Sequence, residues 1–253
     1  MPQSKSERPH KRAKPEQTSR KAYKFSNAID VRRALQNQDQ NAQIEALSAL
    51  RSTLSIKSGE TVAPQDERLA LVVQWMESSS GAHDIFEIWE GMNQSSSLSL
   101  LVSLLSSVLA LLSSHFPYHS HGIPIIKTLL SPKWMRKITS YLSGSNELIL
   151  VSLKLLNSIS HFGGGRERKT LFEAFPWDTK TLAKVSHMRR KGKGDTEDAL
   201  ARPDIRTYYF FFILSFIDPE TSSLVKSTFL EQQRDIFLSI FKGLSQDSYL
   251  VSP

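Results

Sequence analysis

The residues best suited to chemistry in this chain are cationic rather than nucleophilic. Lys184, Arg189, Arg190, Lys191 and Lys193 follow one another with no acid between them, and glycines at 192 and 194 interrupt the run. Guanidinium groups grip phosphate bidentately, and glycine allows close backbone approach. The pattern points to a loop that meets a polyanion, with RNA the first candidate. Asp195, Glu197 and Asp198 follow at once and could neutralise the loop, so a solvated surface loop is the simpler alternative. A second group, Arg166, Arg168 and Lys169, follows Gly163-Gly164-Gly165. Those glycines either close a helix or offer backbone N–H groups to an anion, in concert with the 184–193 loop. Neither cluster fits the G-x-x-x-x-G-K-[ST] phosphate loop. A third group, Lys11, Arg12, Lys14, Arg20 and Lys21, reads as a nuclear localisation signal, a basic arm on RNA, or an inert tail.

Other chemistries find little support. His115, His119 and His121 are close in sequence, but Pro117 intervenes, and no cysteine or nearby carboxylate completes a metal set. The serines have no nucleophile-elbow context, and no carboxylate pair has acid–base spacing. The reading is therefore a protein that is not an enzyme, with no cofactor and no small-molecule substrate. Trp75, Trp89, Trp134 and Trp177 lie among apolar helix positions and are expected to anchor packing. Trp134, beside Lys133, Arg136 and Lys137, has the local company a base-stacking platform needs.

The elements that must position these groups are helical. Ile44, Leu47, Leu50 and Leu54 share one face. So do Leu69, Val72, Val73 and Met76; Leu148, Val151, Leu155, Ile159 and Phe162; and Ile236, Phe237, Ile240, Phe241 and Leu244. Ser145 suits an N-cap, Pro132 a helix start, and Pro203 with Asp204 a first turn. Ser58-Gly59, Pro64, Pro117, the Ser120–Gly122 run and Gly163–Gly165 are read as separators. Tyr208–Ile217 is predicted as a central helix, apolar on nearly every side. About a dozen short-linked helices make the expected fold all-α: stacked helical pairs forming an armadillo- or HEAT-like α-solenoid, with a non-repeating helical domain as alternative.

Charge divides the chain of 253 residues unevenly. Its net charge is +7, and residues 1–24 hold eight bases and two acids. The rest is almost neutral, so residues 1–24 are read as a disordered basic tail and 25–253 as the helical repeat-like domain. Tyr249-Leu250-Val251 remain apolar up to Pro253, which leads us to expect the N-terminal part of a longer scaffold. The absence of cysteine removes disulfides and thiolate sites and agrees with a reducing compartment. No Asp, Glu, Lys or Arg occurs between Glu90 and Lys127, and Leu98–Leu112 is mostly apolar. Serines at 99, 103, 106 and 107 interrupt that stretch, which favours a buried core helix over a membrane span. A membrane-associated protein is the third-ranked reading.

Several runs together carry a family resemblance. They are Val31–Gln36 with Ile44–Leu54; His121–Pro124; Asn146–Leu150 with Leu153–Asn157; Gly164–Lys169 through Phe172; Trp177-Asp178; Met188–Gly194; and Arg202–Arg206. In this order they resemble the N-terminal domain of the nucleolar pre-ribosomal-associated protein 1 family across most of residues 25–245. The resemblance implies a large, non-enzymatic, armadillo-like scaffold of the nucleus and nucleolus, acting on early pre-60S particles. It also implies association with pre-rRNA, small nucleolar RNA, a DEAD-box helicase and other assembly factors. The expected function is thus a scaffold contacting pre-ribosomal RNA; a purely protein-binding helical module is the alternative.

Overall fold

A computed structural model describes residues 23–57, 59–78, 81–162, 164–177, 182, 185, 202–219, 221–232, 234, 235 and 238. Among them there are eleven α-helices and no strand. The helices are α1 (Ala28–Leu35), α2 (Gln40–Leu54), α3 (Glu67–Ser78), α4 (Gly81–Gly91), α5 (Ser95–Ser113), α6 (His119–Leu129), α7 (Pro132–Ser140), α8 (Asn146–Phe162), α9 (Gly164–Ala174), α10 (Arg202–Leu214) and α11 (Ser223–Gln232).

Local chemistry sets several boundaries. Asn27 Oδ1 accepts from Asp30 N at 3.0 Å to cap α1, and Asp39 Oδ1 accepts from Asn41 N at 3.0 Å to cap α2. Ser145 Oγ accepts from Leu148 N at 3.3 Å, the predicted cap of α8. Pro132 opens α7, where its missing N–H costs nothing. Between α2 and α3, Gly59 takes φ +79°, which favours glycine. Arg68 then clasps that connection, donating to Ser55 O, Glu60 and Asp66.

The row that organises the molecule is α2, α5, α8 and α10. Each packs on the next, and α5 with α8 forms the most extensive helix pair. These helices begin at residues 40, 95, 146 and 202, so successive members of the row start 55, 51 and 56 residues apart. The core is continuous: Leu47, Leu50 and Leu54 of α2, Leu101, Leu105 and Leu109 of α5, and Leu153, Leu156 and Ile159 of α8 are all buried. Each such side chain contributes roughly 1.5–3 kcal/mol of transfer free energy.

α5 is long and apolar enough to cross a membrane by length and composition. In the fold it is the core helix, packed on α2, α3 and α8. The Leu69, Val72 and Leu148, Leu155, Ile159, Phe162 faces are buried as expected, while the 236–244 face lies outside the described residues.

Three expectations change. The Ser120–Gly122 run is no separator; it lies inside α6, with Pro124 also within the helix. Packing outweighs propensity there, because a Cβ on Gly122 would lie 2.1 Å from Phe162 Cζ, so only glycine allows α6 to approach α8 this closely. Gly164 and Gly165 open α9, although α8 does end at Phe162. Finally, α10 stands at the end of the row, and Phe211 and Leu214 are 51% and 49% exposed. The central helices are α5 and α8.

A second aromatic layer fixes α9, α10 and α11. Trp177 sits among Phe172, Phe175, Phe212, Phe216 and Phe229, with ring centroids 4.8–6.4 Å away. Its Nε1 donates to Phe172 O at 3.0 Å, so the one polar atom of the ring is satisfied.

Candidate nucleic-acid interface

The sequence-selected cations separate into three kinds. Lys184, Arg189, Arg190, Lys191 and Lys193 lie outside the described residues, as do Lys11, Arg12, Lys14, Arg20 and Lys21. Leu182, just before the 184–193 segment, and Val185, within it, are buried and belong to the core. Arg166 and Lys169 are exposed on α9, and Lys169 stands 3.8 Å from Glu173 one turn on.

Arg168 is different, and this corrects the expectation that it faces a ligand. It is 3% exposed. Its Nε donates to Ser160 O at 2.9 Å, and its Nη1 to Thr221 Oγ1 at 3.1 Å and Asp218 Oδ1 at 3.3 Å. The guanidinium ties α9, the end of α8 and the α10–α11 connection together, and this fold-holding role leaves it no access to RNA.

The row of helices carries a groove that sequence reasoning did not assemble. Its volume is about 540 Å³. Arg51 of α2, Ser103, Ser106 and Ser107 of α5, Lys154, Asn157, Ser158 and His161 of α8, and Tyr208 and Phe211 of α10 line it. Among the described residues no carboxylate lines it. Lys154 Nζ stands 4.9 Å from the Tyr208 ring centroid, a cation–π contact. Tyr208 and Phe211 meet edge to face at 6.1 Å. The separate signals were the serine spacing in α5 and Tyr208–Phe211 in α10; their meeting depends on how α2, α5, α8 and α10 stack.

A second groove, of about 1200 Å³, lies between the start of α6 and α9. Ile126, Leu130 and Phe162 form its buried floor, and Phe116 and Ile123 stand 85% and 41% exposed. Lys127, Arg166 and Glu167 supply its charges.

The remaining candidates are structural. Trp75, Trp89 and Trp134 are buried as the anchors expected, Trp177 partly so. Trp89 Nε1 donates to Tyr141 Oη at 2.9 Å, and burial raises the Tyr141 phenol above its ordinary value. Trp134, the one tryptophan with basic neighbours in sequence, is enclosed: its ring lies 4.7 Å from Trp89, under Lys137 Nζ at 5.3 Å. Lys137 also donates to Trp89 O at 2.7 Å. Burial lowers its pKa, with Glu90 opposing. His115, His119 and His121 bond separately to Val62 O, Ser113 O and Glu77 Oε1. Among the described residues no group of three His, Cys, Asp or Glu could hold a metal.

No match to the chain is found among curated proteins or solved structures. A family model described as "Ribosome 60S biogenesis N-terminal", or Npa1, matches residues 82–252. The match begins at α4, so Val31–Gln36 and Ile44–Leu54 stand outside it, although α1–α3 share the same core. Covering well over half the sequence, the match makes this chain a member of the Npa1 family of 60S ribosome biogenesis proteins, N-terminal region.

Proposed function

We propose that this domain is a non-catalytic helical scaffold in nucleolar assembly of the 60S subunit, contacting pre-ribosomal RNA and other assembly factors. Family membership supplies the process; the α2–α5–α8–α10 row is the observation that carries the scaffold role. Successive units sharing one core and laying equivalent helices side by side are the construction of an α-solenoid, which offers a long rigid surface. The 184–193 cations and the 11–21 cations would add electrostatic attraction to RNA, the latter also serving nuclear import. Pre-rRNA, small nucleolar RNA and a DEAD-box helicase are the partners consistent with this reading.

Ultraviolet cross-linking of the tagged protein in cells tests it, with sequencing of attached RNA and gradient sedimentation of the particles. We expect clustered pre-rRNA cross-links and co-sedimentation with pre-60S particles. Replacing Arg189, Arg190, Lys191 and Lys193 together by Ala should weaken the cross-links. Sedimentation away from pre-60S material, with no specific RNA, would end the scaffold reading. A purely protein-binding module is the second reading, favoured by the apolar groove under Phe116 and Ile123. It predicts pre-60S association without RNA cross-links.

A further inference from the structure

The groove across the row combines features that are seldom assembled by accident of surface composition. Its cations come from different helices, Arg51 from α2 and Lys154 from α8. Among the described residues no ion pair engages either, and the lining offers no carboxylate to do so. An uncompensated pair of cations in a concave surface favours an anionic ligand.

The hydroxyls narrow the choice. Ser106 Oγ donates to Val102 O at 3.2 Å, Ser107 Oγ to Ser103 O at 3.2 Å, and Ser158 Oγ to Lys154 O at 3.0 Å. Each single proton is committed to its own helix, so these oxygens face a ligand as acceptors. Asn157 adds another acceptor. It is 6% exposed, and its Nδ2 donates to Leu153 O at 2.8 Å and Tyr208 O at 2.7 Å. Both partners are carbonyls, which fixes the amide orientation. Oδ1 is thereby left buried without a donor, a costly arrangement unless something supplies an N–H or O–H.

The matching ligand must carry anions for Arg51 and Lys154, donors for the serine and asparagine oxygens, and a flat apolar face for Phe211, which is half exposed. Single-stranded RNA has all three in each nucleotide: phosphate, ribose 2′-hydroxyl with base N–H groups, and the base itself. An acidic polypeptide supplies the anions but has no ring-sized face at each step. We infer that this groove is a single-stranded RNA site, with phosphates on Arg51 and Lys154, a base on Phe211, and ribose hydroxyls on Ser106, Ser107 and Ser158. It rests on the RNA-contact reading above and adds a contact on the helical row to the 184–193 cations.

The test is fluorescence anisotropy of the full 253-residue chain with a labelled oligouridylate of about twelve nucleotides. Phe211→Leu keeps an apolar side chain while removing the ring, and should weaken binding about tenfold; Phe211→Trp should restore it. Arg51→Gln and Lys154→Gln should each lower the slope of log affinity against log salt by about one. The deoxy counterpart of the same length should bind several-fold more weakly. Arg51 and Phe211 are exposed and Lys154 half-buried, so thermal melting of every variant should stay close to that of the unmodified chain. A variant melting lower is replaced by Ser106→Val with Ser158→Val, which must then cost RNA but not DNA affinity.

If the unmodified chain binds oligouridylate and the groove variants bind as well, RNA lies elsewhere; this inference fails while the RNA-contact reading stands. If the unmodified chain binds no RNA at low salt, both fail. If polyglutamate displaces the probe and Phe211→Leu has no effect, the groove is an acidic-polypeptide site and the inference is wrong. Equal affinity for RNA and DNA overturns the ribose assignment.

Discussion

His161 at the end of α8 lines two grooves of opposite character. On one side, Arg51, Lys154 and the α5 serines make a polar trough with no carboxylate among the described residues. On the other, Ile126, Leu130 and Phe162 make an apolar floor beneath Phe116 and Ile123. The difference comes from which helix faces α8 at each place: the serine-bearing side of α5, or the isoleucine-bearing side of α6 joined by α9. The polar groove can select a ligand by hydrogen bonding and charge, the apolar one by shape and desolvation. One short helix end therefore places a surface suited to nucleic acid beside a surface suited to protein.

The largest expected effect separates the fold-holding cation from the grooves. Arg168→Met should cost about 3 kcal/mol, because Ser160 O and Thr221 Oγ1 lose a buried donor and Asp218 loses its cation. Chemical denaturation measures this, and oligouridylate affinity of the folded fraction should be unchanged. A melting curve identical to that of the unmodified chain would remove Arg168 from the framework.

Gly122→Ala comes next, at about 1–3 kcal/mol, since the added methyl overlaps the buried Phe162 ring. The strain falls on the apolar groove, so pre-60S association should drop while RNA affinity holds. If both fall together, the two grooves are not independent.

Phe116→Ser should alter stability by no more than about 0.5 kcal/mol, because the ring is 85% exposed. Reduced recovery with pre-60S particles at unchanged RNA affinity would assign that ring to protein contact.

The smallest effect is a pH dependence at the α2–α3 connection, where Arg68 also donates to Ser55 O at the edge of the polar groove. The hydrogen bond from Arg68 holds Glu60 and Asp66 below their ordinary carboxylate values. The folded pKa values are depressed, so the stabilisation is complete above about pH 4.3 and fades as pH falls through the depressed values. Hydrogen exchange should show the Arg68 amide, which donates to Asp66 Oδ1 at 2.8 Å, losing protection between those limits.

Much of this architecture was legible in the chain because it is local. The apolar faces of α2, α3 and α8, the Ser145 cap and the Pro132 start follow from helical period and terminal chemistry, and each appears where its residues predict. Gly122 and Arg168 were misread for the same reason: their partners, Phe162, Thr221 and Asp218, are far away in sequence, and only packing reveals what a glycine or an arginine is for. The polar groove was hidden similarly. Arg51, Ser106, Lys154 and Phe211 are ordinary residues on four separate helices, and no spacing along the chain signals that the helices lie side by side. The family resemblance, by contrast, rested on ordered local runs and is matched from residue 82 onward.

The uncharged core helix has a practical consequence for mapping this protein's neighbours. No lysine or arginine occurs from Leu69 through Ile126. Trypsin therefore releases that stretch as a single large fragment, and amine-directed cross-linkers find no attachment point on α3, α4 or α5, nor on α6 before Lys127. A protein seated over Phe116 and Ile123 would be reported through Lys127 of the same groove, but one over α3, α4 or α5 would leave almost no mark in a lysine cross-link map of the particle. Its trace would have to be sought with carboxylate-directed or photoactivated reagents, and a blank there should not be mistaken for a bare surface.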